Sequence, residues 1–309
     1  MLDLIVGISL NIGSHIWYVR QVEAERAVVE TAGGVVHVRD AEDDPSRQAA
    51  HVAELLDLGA AALVVSPTRS TAISDALDLC RAAGIPVIGE SIGLVHPAVV
   101  AQVRVDDLSV GRELGEVAGA AVIVDRPPRL LFVGFPDQYE SSLRELGFLE
   151  GLRRHHPDVV ATFVHGLAVI ARAHAAVHRA AERGDLADPP DVLFGVDDES
   201  IIGAQNALRE LGLLTSRLVS ATFGITPPVG LEALERGDIT FGAAMFAENH
   251  GRILGDLALR AVRGETLPLL TNPPARIVSA RGTPRGWERY YRLDGAEYRL
   301  DIAAIEAAG

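Results

Sequence analysis

The sequence predicts an α/β protein built from two doubly wound, parallel-sheet domains. Three observations carry this. Apolar runs of about four to seven residues, rich in β-branched residues and mostly without polar alternation, recur along the chain, as parallel strands covered on both faces require. Amphipathic helical stretches separate them. The length, 309 residues, is enough for two domains of ordinary size.

The elements follow in order. The first predicted strand is 3–9 (DLIVGIS), and it passes through NIGSHIWYV (11–19) into the helical stretch RQVEAERAVVETAGG. A strand at 34–38 (GVVHV) leads to the helix DDPSRQAAHVAELLDLG. Asp44 is placed to cap that helix, Pro45 to occupy its first position and Gly59 to follow its end. Ala49, Val52, Leu55 and Leu56 form its apolar stripe. A strand at 61–65 (AALVV) precedes STAISDALDLCRAAG, where Ile73, Leu77 and Cys80 share one face. Strands at 86–88 and 100–105 complete the first set. The charged, proline-bearing stretch DRPPRLL (125–131) reads as a boundary. Strands at 129–134, 158–164, 192–196, 217–223 and 240–246 follow, with a last one at 275–280. Among their helices, DDESIIGAQNALRELG starts acidic, aligns Ile201, Ala204, Leu208 and Leu211 on one face, and stops at Gly212. The expected lobes are 1–126 with 247–274, and 127–246 with 275–309. The chain then crosses between them near 124–128, 246–248 and 272–275. The tail TPRGWERYYRLDGAEYRLDIAAIEAAG is expected to dock on the second lobe.

Composition narrows the function. The net charge of −14 repels phosphate backbones, which argues against nucleic acid as a partner. Cys80 is the only cysteine; it permits no internal disulfide and reads as a small buried hydrophobe. No run approaches the roughly 20 apolar residues of a membrane span. MLDLIVGISL lacks the basic start of a signal peptide, so the chain is cytosolic or is an exported protein whose signal has been removed.

Polar residues gather where strands end: Asn11, then His15, Trp17 and Tyr18; Glu90 and Ser91; Asp106 and Asp107; Arg144 early in a helix; Asp197 and Asp198. Ligands of open α/β sheets bind at the carboxyl ends of strands. Carboxylates and an Asn pair with hydroxyls, an Arg fork bridges neighbouring oxygens, and aromatic faces pack on the C–H side of a sugar ring. The set suits a small polyhydroxylated molecule.

Here the sequence resembles the type I periplasmic solute-binding proteins of the ribose-binding kind, which share their core with the LacI-type regulators. The resemblance runs from residue 3 to about 280. It rests on the order and spacing of DDPSRQAAHVAELLDLGAAALVVSPTRSTAISDAL, AAGIPVIGES, VRVDDLSVGRELG, RELGF and GVDDESIIGAQNALRELG. It implies two lobes joined by a three-segment hinge that closes on a sugar or sugar alcohol. It further implies a periplasmic or extracellular, membrane-associated location, a monomer, an ABC-transporter permease as partner, no cofactor and no catalysis. It assigns Trp17 and Tyr18 to the sugar, against a plain core role on a helix face. It carries ligand contacts to His15 or Asn11, to Asp106, to Arg144 and to Asp197. The pattern departs at three places: Gly224 and Met245 stand where an Asp and a Gln are expected, and ESIG replaces an Asp–Arg pair after PVI. Those losses point away from ribose toward a smaller or less hydroxylated solute. Arg144 is expected to face solvent when no ligand is bound; its rival role is a surface pair with Asp137, Glu140 or Glu145.

Other readings compete. A LacI-type effector core would have a basic DNA-binding segment before the first strand, and this acidic chain opens on that strand. GESIG (89–93) matches the serine-hydrolase elbow, yet LVHPAVVAQVRV follows it where the elbow needs a helix, so catalysis by Ser91 is not expected. HAAVH sets His174 and His178 on one helical face with no third metal ligand near in sequence; a solvated face is expected.

Overall fold

A computed structural model of the chain describes residues 4–135, 138–166, 168–295 and 297–308. Contacts between residues group it into two units, Met1–Val105 with Ala247–Pro273 and Asp106–Phe246 with Pro274–Gly309.

The first unit holds β1 (Ile5–Leu10), α1 (Ile16–Thr31), β2 (Val35–Asp40), α2 (Pro45–Asp57), β3 (Ala62–Val65), α3 (Ser74–Ala83), β4 (Val87–Glu90) and β5 (Val99–Val103). The second holds α4 (Asp107–Ala121), β6 (Arg129–Gly134), α5 (Tyr139–Arg153), β7 (Val160–His165), α6 (Ile170–Glu182), β8 (Val192–Gly195), α7 (Asp198–Glu210), β9 (Val219–Gly224), α8 (Val229–Arg236) and β10 (Phe241–Ala244). The chain returns to the first unit for α9 (Ala247–Val262) and β11 (Leu270–Thr271). It ends in the second with β12 (Arg276–Ser279), β13 (Tyr291–Asp294), β14 (Glu297–Leu300) and α10 (Ile302–Ala307).

The first sheet runs β11-β5-β4-β3-β1-β2 with every pairing parallel. The second runs β12-β10-β9-β8-β6-β7 and is parallel except for its edge, where β12 lies antiparallel to β10. Central strands β3, β4, β8 and β9 are buried along their whole length. Edge strands β2 and β7 are largely half-buried or exposed, because no neighbour covers their outer side.

Local signals act as the sequence expects. The Asp44 carboxylate accepts from the Ser46 and Arg47 amides, and Pro45 opens α2. Gly59 and Gly212 take positive φ just past α2 and α7.

The expected lobe boundary at 126/127 differs from the grouping, which changes units between Val105 and Asp106 and so sends α4 to the second unit. The cause is glycine. On α4, Gly115 lies so close to α5 that a Cβ there would stand 2.1 Å from the Phe148 carbonyl oxygen. On α5, a Cβ at Gly151 would stand 2.1 Å from the Arg112 carbonyl oxygen. Two backbones that touch this way share one unit. The proline-bearing stretch is then the α4–β6 connection inside that unit, pinned where Asp191 accepts from Arg126 and from the Arg129 amide.

The tail is part of the second core. Trp287, Tyr290, Tyr291 and Ile305 join the cluster formed by α6, α7, α8 and their strands. Trp287 is 1% exposed. The short strands β11, β13 and β14 carried no apolar run long enough to announce them.

Candidate functional site

In the first unit, β1 ends in Asn11, whose buried side chain accepts from the Ile12 amide at 2.8 Å and shapes the turn into α1. His15 caps α1 by accepting from the Trp17 amide through Nδ1. Trp17 and Tyr18 follow, 6% and 7% exposed. The Trp17 indole N–H donates to Glu90 Oε1 at 3.3 Å, and its ring meets His250 of α9 edge-on, centroids 4.9 Å apart. The Tyr18 hydroxyl lies 2.6 Å from the Ser66 hydroxyl beyond β3. Three strand ends, β1, β3 and β4, are thus linked through one aromatic pair. Glu90 ends β4 fully buried. His250 and Ser66 were not legible in sequence, since nothing local marks them as neighbours of residues 17 and 18.

Beneath this edge lies Glu25 of α1, also fully buried, facing Gln21 and Glu90. Burial pushes its carboxyl up to about 8, with the Gln21 hydrogen bond opposing and Glu90 adding. Ser91 holds φ at +56°, and residues 91–98 form a loop leading to β5. The helix a nucleophile elbow requires is absent there. Burial also pushes the Cys80 thiol up to about 11, the state of an unreactive cysteine.

In the second unit, two Asp–Asp pairs divide labour in the same way. Asp106 caps α4, accepting from the Ser109 amide at 3.1 Å, and is exposed. Its neighbour Asp107 is buried and accepts from Arg144 Nε at 2.7 Å. Asp197 caps α7, accepting from the Ser200 amide at 2.7 Å. Asp198, 1% exposed, reaches beyond β9 and accepts from the Ile225 and Thr226 amides, both at 2.8 Å. Burial still pushes the Asp198 carboxyl up to about 6 against those two donors. A capping side chain is turned back on its own helix, so the second residue of each pair reaches across. Asp107, noted in the sequence only as a strand-end residue, stands beside Arg144, while Asp106, to which the resemblance carries a ligand contact, caps α4.

Arg144 joins three strand and helix ends of this unit. Besides Asp107 on α4, it donates through Nη1 to the Val196 carbonyl at 2.9 Å, after β8, and its Nη2 lies 3.7 Å from the Met245 sulfur, after β10. Its guanidinium sits 4.7 Å from the centroid of the Phe223 ring. Burial disfavours the charge, but Asp107, Asp197 and Glu140 outweigh it and hold the group above its ordinary range. The expectation of a solvent-facing Arg144 in unliganded protein gives way to a side chain 14% exposed in an ion pair. Of the rival partners, Glu140 adds its charge to the field that holds Arg144 protonated, and Asp137 lies outside the described residues.

Gly224 has a physical reason. Its φ is +110°, and a Cβ there would stand 2.4 Å from the Asp198 carboxylate. The space an Asp at 224 would need is occupied by Asp198. Met245, 5% exposed, fills the place of the expected Gln with a soft, weakly accepting sulfur.

Comparison with known proteins matches this frame. The chain is 23% identical over 242 residues to the ribose import binding protein RbsB of Haemophilus influenzae, spanning 78% of this chain and 80% of that one. It is 24% identical over 262 residues to RbsB of Bacillus subtilis, spanning 76% and 81%. A Mycobacterium smegmatis structure in complex with β-D-fucofuranose superposes with a TM-score of 0.80 at 20% identity, covering 90% of this chain and 91% of that one. A Caulobacter myo-inositol binding protein superposes with a TM-score of 0.78 at 20% identity, covering 92% and 96%. The model of the periplasmic binding protein domain matches residues 6–266. The chain therefore belongs to the periplasmic binding protein family, with the type I fold of ABC-transporter solute-binding proteins, a family of binders rather than enzymes.

Proposed function

We propose that the protein is the solute-binding subunit of an ABC importer and that it captures a small neutral sugar or sugar alcohol. The observation that carries this is Arg144. A guanidinium anchored on one edge by Asp107 and Val196, with Nη2 against a weakly accepting sulfur, is pre-oriented toward ligand oxygens. The polar strand ends of the first unit, Asn11 and Glu90 beside Trp17, supply the complementary half. Relatives named for ribose import, and like-folded proteins holding β-D-fucofuranose or myo-inositol, support the ligand class.

Both units close on the solute, and the closed form is what the membrane permease reads. The protein works as a monomer, in the periplasm or at the outer face of the membrane; among the described residues no helix is long and apolar enough to cross it. Gly224 and Met245 remove two polar contacts, so the solute is smaller or less hydroxylated than ribose.

A thermal-shift screen of monosaccharides, polyols, amino acids and nucleosides tests this. A ligand at 100 times its dissociation constant stabilises by about 2.7 kcal/mol, a shift of a few degrees for a protein of this size. A polyol or sugar should be the class that shifts the melt. A shift from amino acids or nucleosides alone would contradict the assignment.

A further inference from the structure

Helix α6 carries His174 and His178 one turn apart, a face expected to be merely solvated. The fold brings a third group to them from α7. Glu210, its last residue, has one carboxylate oxygen 2.9 Å from His174 Nε2 and 3.0 Å from His178 Nε2. The two imidazoles lie 4.6 Å apart, centroid to centroid. All three potential donor atoms fall within 4.8 Å of one another. The spacing in sequence, more than 30 residues, hid the carboxylate.

The scaffold under these side chains is rigid. Ala173, Ala176, Val177 and Ala180 of α6 pack on Ile201, Ala204, Ala207 and Leu208 of α7 in one core. At Gly203 of α7 the helices come so close that a Cβ would stand 2.3 Å from the Ile170 carbonyl oxygen. The rim residues above that contact are therefore held in place by the core, while their side chains, 32%, 30% and 59% exposed, remain reachable from solvent.

We propose that His174, His178 and Glu210 form a binding site for one zinc ion or a similar borderline divalent metal, bracing α6 to α7. Two imidazoles and a carboxylate are a three-ligand set for such ions, with water in the fourth position, and nitrogen donors select against calcium and magnesium. At zinc-ligand bond lengths, tetrahedral donors lie about 3.3 Å apart. Opening the two His–Glu contacts by a few tenths of an ångström brings those pairs to that spacing, and the two histidine donors, within 4.8 Å, need only side-chain rotation to match it. Each Nε2 that donates to Glu210 must offer its lone pair instead: a neutral imidazole does so by carrying its proton on Nδ1, and a protonated one by releasing the Nε2 proton to solvent. This site is independent of the solute-binding residues.

Untagged, metal-stripped protein titrated calorimetrically with zinc chloride tests the proposal. One zinc should bind per chain and raise the melting temperature, with magnesium giving no saturable heat. His178→Ala and Glu210→Gln should each weaken binding at least tenfold, while the metal-free melt and the response to the screened sugars or polyols stay as in the parent. X-ray absorption of the zinc-loaded parent protein, which needs no variant to fold, should show a nitrogen/oxygen shell containing two imidazole ligands. No saturable zinc binding, parental affinity in both variants, or a coordination shell without imidazole would overturn it.

Discussion

Arg144 is the residue on which the proposed solute recognition and the stability of the second unit meet. Its removal takes away charge-assisted hydrogen bonds worth about 1.5–3 kcal/mol each. Arg144→Ala is expected to weaken solute binding at least about tenfold, roughly 1.4 kcal/mol. It also removes the cation 2.7 Å from the buried Asp107 carboxylate. Breaking such a pair costs about 3–5 kcal/mol, so the unliganded melting temperature should fall too. Arg144→Lys should recover part of both, since an ammonium lacks the planar fork. Titration calorimetry and melting of the three proteins check this; an unchanged unliganded melt would show that the Asp107 pair contributes little. Glu25 gives a second residue-scale prediction. Its folded pKa of about 8 lies above the unfolded value, so the neutral form is the stable one. The contribution is complete below the unfolded pKa and is lost as pH rises through about 8. Stability should therefore decline between about pH 4.5, the unfolded value, and about pH 8, by up to about 1.4 kcal/mol per pH unit. Glu25→Gln should flatten that decline in urea denaturation measured across the range; an equal slope in both proteins would assign it elsewhere.

Among the elements, the α4–α5 pair shows why sequence boundaries and structural units part company. Charge and proline marked 125–131, yet the decisive signal was the glycine spacing at 111, 115 and 119 facing 147 and 151, all places where a Cβ would crowd the partner helix. Gly115→Ala forces those backbones apart. Overpacking of this kind costs about 1–3 kcal/mol, to be read as a lower denaturation midpoint with an unchanged denaturant slope. Val100→Ala, at a 38% exposed position of β5, should cost much less. The eleven strands foreseen from apolar runs all formed because their burial is local information. β11, β13 and β14 were missed because each is short and stabilised by partners distant in sequence. The candidate site was partly legible for the same reason. Strand-end positions follow from the alternation of strand and helix, whereas seeing that Asp107 rather than Asp106 pairs with Arg144 requires knowing which carboxylate caps its own helix. Glu210, His250 and Phe223 become neighbours of their partners only through the fold.

On the scale of the whole molecule, the tail and the solute both complete what the α/β units begin. Trp287 is wholly enclosed in the second core, and Trp287→Ala should cost about 3–5 kcal/mol. Thermal melting that leaves the parent midpoint unchanged would mean the tail is an appendage. The account stands on the proposal that the chain captures one small solute. Isothermal titration with the best sugar or polyol from the screen tests that most directly. The predicted result is saturable binding of one molecule per chain, at least tenfold weaker in Arg144→Ala, with the sugar or polyol recovered unaltered. No saturable binding by any sugar or polyol, or conversion of the added compound, would contradict it.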